Sequence, residues 1–477
     1  MSNIDNRNQV VLGIDFTRNY TSIAIFSMEE SSEIEYVTYN NRPIPAGISI
    51  NRESGEVLVA KKAQEQEGDL YFNSVYNFID SNKEYDIAGH KWNKEDLLSA
   101  ALEEIKEYIL NKYNNTRIIK TVISINKRNT DKYKEYFKKA GEIANLNIID
   151  LLKRPVSIIK NHYRELEEGK YLLVDVSQND LSIYSMVLDK GILSIQCEDH
   201  YMEQFYDMDS HLTSFIIKQL NENIDFNIKM ENLTEEEQNT ISKNVSEIKE
   251  AFLKRPSAEI NIKNIQNVIG FKKAMMIEEY YKVLNKVYQE IEKLTNQFLL
   301  NNSLDIGEFD YMFLTGCGVK APRFIDEFRD KFDIDVLQYM SICEWQGALG
   351  NIKAFMEPIG LVLDTDIKII LADDSQIAIV NKNQNLEDID EIYYFGLTED
   401  QPYAQLVLLV KDLAHLIKAP VYGFIDETVA LEMYINEDQN LTISFGSTKQ
   451  PVTTHEQYVI ESVPVAYRIN SGETYEI

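Results

Sequence analysis

The sequence predicts an internally duplicated α/β domain followed by a mostly antiparallel β-sandwich module. Three observations predict it. Val10-Val11-Leu12-Gly13-Ile14-Asp15-Phe16 is an apolar strand ending on an acid, and Ile23-Ala24-Ile25-Phe26 returns beside it. Tyr171-Leu172-Leu173-Val174-Asp175-Val176 and Ser182-Ile183-Tyr184-Ser185-Met186-Val187-Leu188 repeat that hairpin, again with an acid at its turn. Near residue 357 the helical patterns stop and short apolar strands separated by turn signals take over.

In order, residues 10–60 alternate apolar runs with turns such as Arg42-Pro43 and Ser54-Gly55, a β meander. From Lys94 to Tyr113 the residues Leu97, Leu98, Ala101, Ile105, Tyr108 and Ile109 share one helical face. Thr121–Ile125 is a short buried strand, Asp131–Leu146 a helix with a lysine-rich outer side, and Ile148–Leu152 the next strand. Strand, helix and strand at this spacing indicate a mixed sheet. Residues 274–300 read as one long helix with Ile277, Tyr280, Leu284, Val287, Ile291, Leu294 and Phe298 in a heptad seam. That seam packs on its own domain or forms a dimer coiled coil. Asp310–Lys320 is a strand running into a glycine turn, and Pro322 opens a helix over Arg323–Lys331. Strands are expected at Lys368–Leu371, Gln376–Val380, Glu391–Phe395, Ala404–Val410, Ala430–Ile435 and Leu441–Phe445, and Val452–Ile477 reads as extended.

Composition narrows the function. A chain of 477 residues exceeds one compact core, so two or three domains are expected. With 44% hydrophobic and 26% charged residues it is globular, and a net charge of −29 disfavours nucleic acid and anionic membrane as partners. Cys197, Cys317 and Cys343 are too scattered for a zinc knuckle or a disulfide framework, which fits a reducing compartment. No apolar run reaches membrane-spanning length and Met1–Asn8 carries no signal-peptide core, so the expected location is the cytoplasm. The six histidines show no metal-ligand spacing, and no Ser-His-Asp arrangement is visible.

An acid at the end of a buried strand, followed by a small polar turn, suits a phosphate and its metal. The carboxylate can hold a hydrated cation, and turn amides and hydroxyls can hold phosphate oxygens. Asp15 and Asp175 are therefore candidates for a metal held through water. The alternative is that they are turn formers that bond their own backbone. The turn Thr17-Arg18-Asn19 lacks the glycines that let a backbone approach phosphate closely.

The order of segments resembles the DnaK-type heat-shock chaperone family over about residues 10–450. Gly13-Ile14-Asp15-Phe16 looks like the family's first phosphate motif, and Leu173-Val174-Asp175-Val176 stands where its second begins. Ala140-Gly141-Glu142-Ile143-Ala144-Asn145-Leu146-Asn147, ending in Lys153-Arg154-Pro155, is similar to Ala-Gly-x-Ile-Ala-Gly-Leu-x followed by Asn-Glu-Pro. Phe313-Leu314-Thr315-Gly316-Cys317-Gly318-Val319-Lys320-Ala321-Pro322 looks like the adenosine motif, and Leu431–Ser444 resembles the last hairpin of the peptide-binding module. Leu361-Val362-Leu363-Asp364 is similar to the interdomain linker.

The resemblance implies an actin-like ATPase fold over 1–357, a linker over 358–365 and a β-sandwich substrate-binding-type domain over 366–477, with too little chain after the matched hairpin for a helical lid. It implies ATP and Mg²⁺ as ligands and unfolded peptide segments or a protein partner as the bound species. The implied nucleotide and phosphate contacts are Asp15, Thr17, Arg18, Asn19, Asp175, Ser177, Gln178, Lys249, Gly316, Gly318 and Lys320. This chain departs from the family at the chemistry. Thr17-Arg18-Asn19 replaces a glycine and two hydroxyl residues, and Ser177-Gln178-Asn179-Asp180 replaces three glycines and a threonine. Asp180 would face phosphate with a like charge, a repulsion of about 4 kcal/mol at 4 Å and an effective dielectric near 20. Arg154 stands at the metal-associated glutamate and Tyr76 at the catalytic lysine, so no residue is assigned as catalytic. Phosphoryl transfer is mostly positioning and charge neutralisation, and these losses remove most of both. The expected protein is chaperone-like with a degenerate ATP site. The alternatives are a slow ATP-binding chaperone ATPase and an actin-like scaffold.

Overall fold

The computed structural model describes all residues except 1–7, 19, 29–33, 39–42, 60–69, 73, 114–115, 128–129, 178–179, 203–207, 224–226, 253–254, 266–267, 317–322, 339–343, 372–373, 398–400, 423–426, 437–438 and 471–477. The chain divides into two compact units. The first comprises Met1–Val187 and Gln196–Phe355, the second Leu188–Ile195 and Met356–Ile477. It is a mixed α/β protein, and among the described residues no helix is long and apolar enough to cross a membrane.

In the first unit, β1 (Asn8–Phe16) is apolar on both faces and lies in the middle of a sheet. β2 (Tyr20–Ser27) and then β3 (Ile34–Val37) extend the sheet antiparallel on one side. On the other side β4 (Thr116–Ile125) and β5 (Ile148–Lys153) run parallel to β1. A parallel neighbour requires a crossover, and helix α1 (Lys94–Lys112) provides its cover. Asn93 caps α1 by accepting from the Asp96 N–H, while Asp96 reaches back to the Asn93 N–H. Leu97, Leu98, Ala101, Leu102, Ile105 and Ile109 bury its inner face.

A second set of strands has the same order. β6 (Gly169–Ser177) is flanked on one side by β7 (Asp180–Asp189) and then β8 (Ile192–Met202). On the other side β9 (Tyr311–Thr315) and then β10 (Asp335–Leu337) run parallel to it. The long helix is shorter at its start than the periodicity suggests. Ala274–Met276 complete the strand Val268–Met276, paired with Ser257–Ile265, and the helix runs Ile277–Asn301. Its seam residues Tyr280, Leu284, Val287, Ile291 and Phe298 are buried in the unit's own core, so the seam serves the domain that carries it.

One more expectation is corrected, and one element was not expected at all. The helix expected over Asp131–Leu146 is a single 3-10 turn at Asp131–Tyr133 followed by α2 (Lys134–Ile143). It stops early because Asn145 takes φ +53° and the Leu146 N–H returns to the Gly141 carbonyl at 2.8 Å. The segment after β5 is also helical, α3 (Arg154–His162), with Pro155 in its first turn. All nine of its residues are buried, including the polar Arg154, Lys160, Asn161 and His162.

In the second unit, Gly360–Leu363, inside the 358–365 segment expected as a linker, is strand β11. Two four-stranded antiparallel sheets follow and share one core. β12 (Ile367–Ile370), β13 (Gln376–Val380), β15 (Tyr403–Val410) and β16 (Leu413–Pro420) form one, in the order β13-β12-β15-β16. β14 (Asp390–Gly396), β17 (Thr428–Ile435), β18 (Leu441–Ser447) and β19 (Glu456–Ile460) form the other in that order. β16 is absent from the sequence-based expectation. Its hairpin turn, Lys411-Asp412, puts both residues at positive φ (48° and 63°) without the usual glycine or asparagine.

Two tyrosines join the sheets. The Tyr393 hydroxyl donates to the Ile379 carbonyl. The Tyr458 hydroxyl donates to the Lys418 carbonyl at 2.6 Å and accepts the Lys418 N–H at 2.9 Å. β20 (Val465–Arg468) pairs antiparallel with β11.

Candidate functional site

The acids at the ends of β1 and β6 meet inside the first unit. Asp15 is fully buried and Asp175 is 3% exposed. The parallel register sets Ser124 of β4 opposite Asp15, and the Ser124 hydroxyl donates to Asp15 Oδ1 at 2.8 Å. Arg154, the first residue of α3, lies between the two acids. Its Nε donates to Asp15 Oδ2 at 3.0 Å and its Nη1 is ion-paired with Asp175 Oδ2. Burial works against the charge on Arg154. Asp15, by charge and hydrogen bond, more than offsets it, so the guanidinium holds its proton more tightly than a free arginine.

Helix α4 (Gln346–Met356) completes the site from its own buried face. The Asn351 amide donates to the Ile14 carbonyl at 2.7 Å and to Ser124 Oγ at 3.0 Å, and accepts from Ser157 Oγ at 2.7 Å. Gln346 Oε1 accepts from the Thr315 hydroxyl at the end of β9. Gly347 lies against the Asp15 carboxylate, and a Cβ there would be 2.3 Å from Asp15 Oδ2. Gly316, at φ +94°, would put a Cβ 2.1 Å from the Val176 carbonyl, so neither position admits a side chain.

The turn after β1 is closed on itself. Thr17 Oγ1 donates to the Tyr20 carbonyl at 2.8 Å and accepts the Tyr20 N–H at 3.1 Å. Tyr76 is buried, and its hydroxyl donates to the Phe16 carbonyl and accepts the Asn126 N–H, each at 2.7 Å. Burial pushes that phenol far above its ordinary range. The Asn126 amide donates to Ser182 Oγ at 2.8 Å and accepts from the Tyr184 hydroxyl, and Ser182 Oγ lies 2.9 Å from His200 Nδ1.

The turn between β6 and β7 differs. Asp180 is 4% exposed, and its Oδ1, like Asp175 Oδ1, has no hydrogen-bond partner among the described residues. Burial pushes the Asp180 carboxyl up to about 6, against the pull of Arg18, Arg154, Asn126 and Lys127.

Of the sequence candidates, Asp15, Asp175, Thr17 and Arg18 come together at this site with Arg154, Tyr76 and Asp180. Ser177 ends β6 and is buried, and Gly316 lies directly after β9. Lys249 is buried and ion-paired with Asp209 at 2.6 Å. Asn19, Gln178, Gly318 and Lys320 lie outside the described residues. Leu361, Val362 and Leu363 are in β11, and Asp364 follows, ion-paired with Lys382 at 2.9 Å. Sequence reading missed Ser124, Asn126, Gln346 and Asn351. Their one signal is a polar residue at a position of an apolar strand or helix where burial is expected.

No protein-family model matches the chain. Three of the curated proteins it is similar to are named as chaperones or heat shock proteins. The chaperone protein HscA of Buchnera aphidicola subsp. Baizongia pistaciae is 27% identical over 219 residues, 40% of this chain and 42% of the relative. The mitochondrial-type heat shock protein 70 of Encephalitozoon hellem is 21% identical over 295 residues, 58% of this chain and 48% of the relative. The chaperone protein DnaK of Ureaplasma urealyticum serovar 10 is 19% identical over 336 residues, 66% of this chain and 53% of the relative. The matches span about half the length of these relatives, and they support a relationship to the heat shock protein 70 family.

Proposed function

We propose that this protein is chaperone-like, that its second unit holds an extended polypeptide segment or a protein partner, and that its first unit carries a degenerate nucleotide site with weak or no ATP hydrolysis. The observation that carries this reading is the sequence of parts. An α/β unit with paired strand-end acids is followed by an apolar strand and then by two antiparallel sheets on one core, in a chain related to named chaperones. Strand recognition needs backbone groups at a sheet edge and apolar side chains beside them. β14 has a strand partner on one side only among the described residues, and its Ile392 and Tyr394 are exposed, as is Tyr434 on the neighbouring β17. The degenerate site is supported by the groups already engaged. Thr17 closes its own turn, Tyr76 bridges Phe16 and Asn126, and Arg154 is paired with both acids.

Fluorescence anisotropy of labelled apolar peptides against the full chain tests the first half. Binding is expected, and Tyr394→Ser should weaken it about tenfold. Absence of binding to a peptide panel at high micromolar protein would end this half. Isothermal titration with ATP·Mg²⁺ tests the second half. Silence at millimolar nucleotide is expected, and micromolar affinity would overturn it.

A further inference from the structure

We infer that Arg154 is a permanent internal cation that joins the two halves of the first unit by bridging Asp15 and Asp175, and that this acid pair is therefore not a divalent-metal site. The resemblance to an ATPase fold implies a hydrated metal between these carboxylates, and the residues present do not fit one. A magnesium ion demands near-octahedral oxygen ligation and keeps several waters, and each acid would have to give it an oxygen or a water contact. Here Oδ2 of both acids is already bonded to the guanidinium, and Asp15 Oδ1 is bonded to Ser124. A metal would stand beside a fixed positive charge that competes for the same oxygens. Among the described residues no group of three or more His, Cys, Asp or Glu side chains is arranged to hold a metal ion.

The guanidinium suits the bridging role. It is planar, it presents N–H donors along different edges, and it does not lose its proton in proteins. Nε faces one acid and Nη1 the other, so one side chain reaches β1 and β6 at once. Arg154 is 3% exposed and starts a helix buried on every side, with Pro155 next in the chain, so the clasp is anchored by packing. Gly347 leaves room for the Asp15 carboxylate to meet it. A metal clasp forms and releases with its ligand. This one is covalently part of the chain, so the two strand ends stay joined with or without nucleotide.

The inference deepens the reading of a degenerate nucleotide site and rests on it only for the location. Manganese chloride alone is titrated into the full-length wild type and followed by electron paramagnetic resonance. Thermal unfolding is recorded in parallel for wild type, Arg154→Ala and Arg154→Lys. The wild type should bind no manganese at this site and show no manganese-dependent shift. Arg154→Ala should melt lower by about 5–10 °C. Millimolar Mn²⁺ or millimolar guanidinium should restore part of that loss where sodium does not. Arg154→Lys keeps the charge without the two-sided reach and should fall between the two.

One manganese bound by the wild type and lost in Asp15→Asn would overturn the inference, as would an unchanged melting temperature in Arg154→Ala. If Arg154→Ala fails to fold, the wild-type titration and Arg154→Lys still decide. Manganese binding without ATP binding would sink the clasp and leave the degenerate site standing. Metal-free ATP binding would do the reverse.

Discussion

The strand ends that carry Asp15 and Asp175 share one topology, an acid before a hairpin turn with parallel strands on the other side, yet they are satisfied differently. Around Asp15 the polar groups have partners. Ser124 and Arg154 hold the carboxylate, Asn351 ties Ser124 to the β1 backbone, and Thr17 closes the turn. Around Asp175 two carboxylate oxygens, its own Oδ1 and Asp180 Oδ1, lie buried without a hydrogen bond among the described residues. Burial penalises a charged carboxylate, and the Asp180 carboxyl is accordingly pushed up to about 6 despite the cations and the amide near it. The difference teaches that the first end is a structural joint, with its polar groups used internally. The second end keeps two buried carboxylate oxygens without a hydrogen bond among the described residues, and it is where pH acts.

The largest test of that contrast is at the saturated end. Asn351→Ala leaves the Ile14 carbonyl, Ser124 and Ser157 without their partner, a loss of about 4 kcal/mol from several buried groups. Urea unfolding should show it equally at acid and neutral pH. A loss under about 1 kcal/mol would mean the joint is not built as described.

Asp180→Asn comes next and carries the opposite sign. The folded carboxyl titrates near 6, above its unfolded value near 3.8, so the folded state binds the extra proton between those limits. Wild-type stability from this group is therefore full below the unfolded value and is lost as pH rises through about 6. Asparagine removes that loss, so the variant should gain on the order of 2–3 kcal/mol over wild type at pH above the transition and little below it. Unfolding curves for both proteins across that range check it, and a difference independent of pH would break the comparison.

Tyr76→Phe should cost about 1–2 kcal/mol, because one hydroxyl serves both the Phe16 carbonyl and the Asn126 N–H. The same variant should leave ATP hydrolysis as weak or absent as in the wild type, and a measurable change in it would give the phenol a role in chemistry. Thr17→Val is the smallest change. It opens the turn for about 1 kcal/mol, and amide exchange at Tyr20 should report it.

The acids themselves were legible in the chain, because each ends an apolar run and each is followed by a polar turn. The heptad seam was legible as a buried face, though not where its helix begins, since Ala274–Met276 suit a strand or a helix and only pairing with Ser257–Ala258–Glu259 decides. Helix α3 was missed although Pro155, Val156, Ile158 and Ile159 share one face of it, because nine residues are fewer than the window over which periodicity separates a helix from a strand. Strand β16 was missed because two charged residues take left-handed turn conformations that glycine or asparagine usually signals. Arg154 was visible as a cation where the family has an acid. Its actual role depends on two carboxylates separated in sequence by 160 positions, which local pattern cannot bring together.

Local chemistry in the sequence determined the strands, the strand-end acids, the apolar segment Leu361-Val362-Leu363 and the glycine-poor turns after Phe16 and Val176, because each depends on neighbours a few residues away. Tertiary structure alone decided which charge those acids would meet and that the turn hydroxyl, the tyrosine and the arginine would all be engaged inside the fold. The reason is that ion pairing and desolvation depend on distance through space, and the groups that set both here come from β1, β4, β6, α3 and α4 at once.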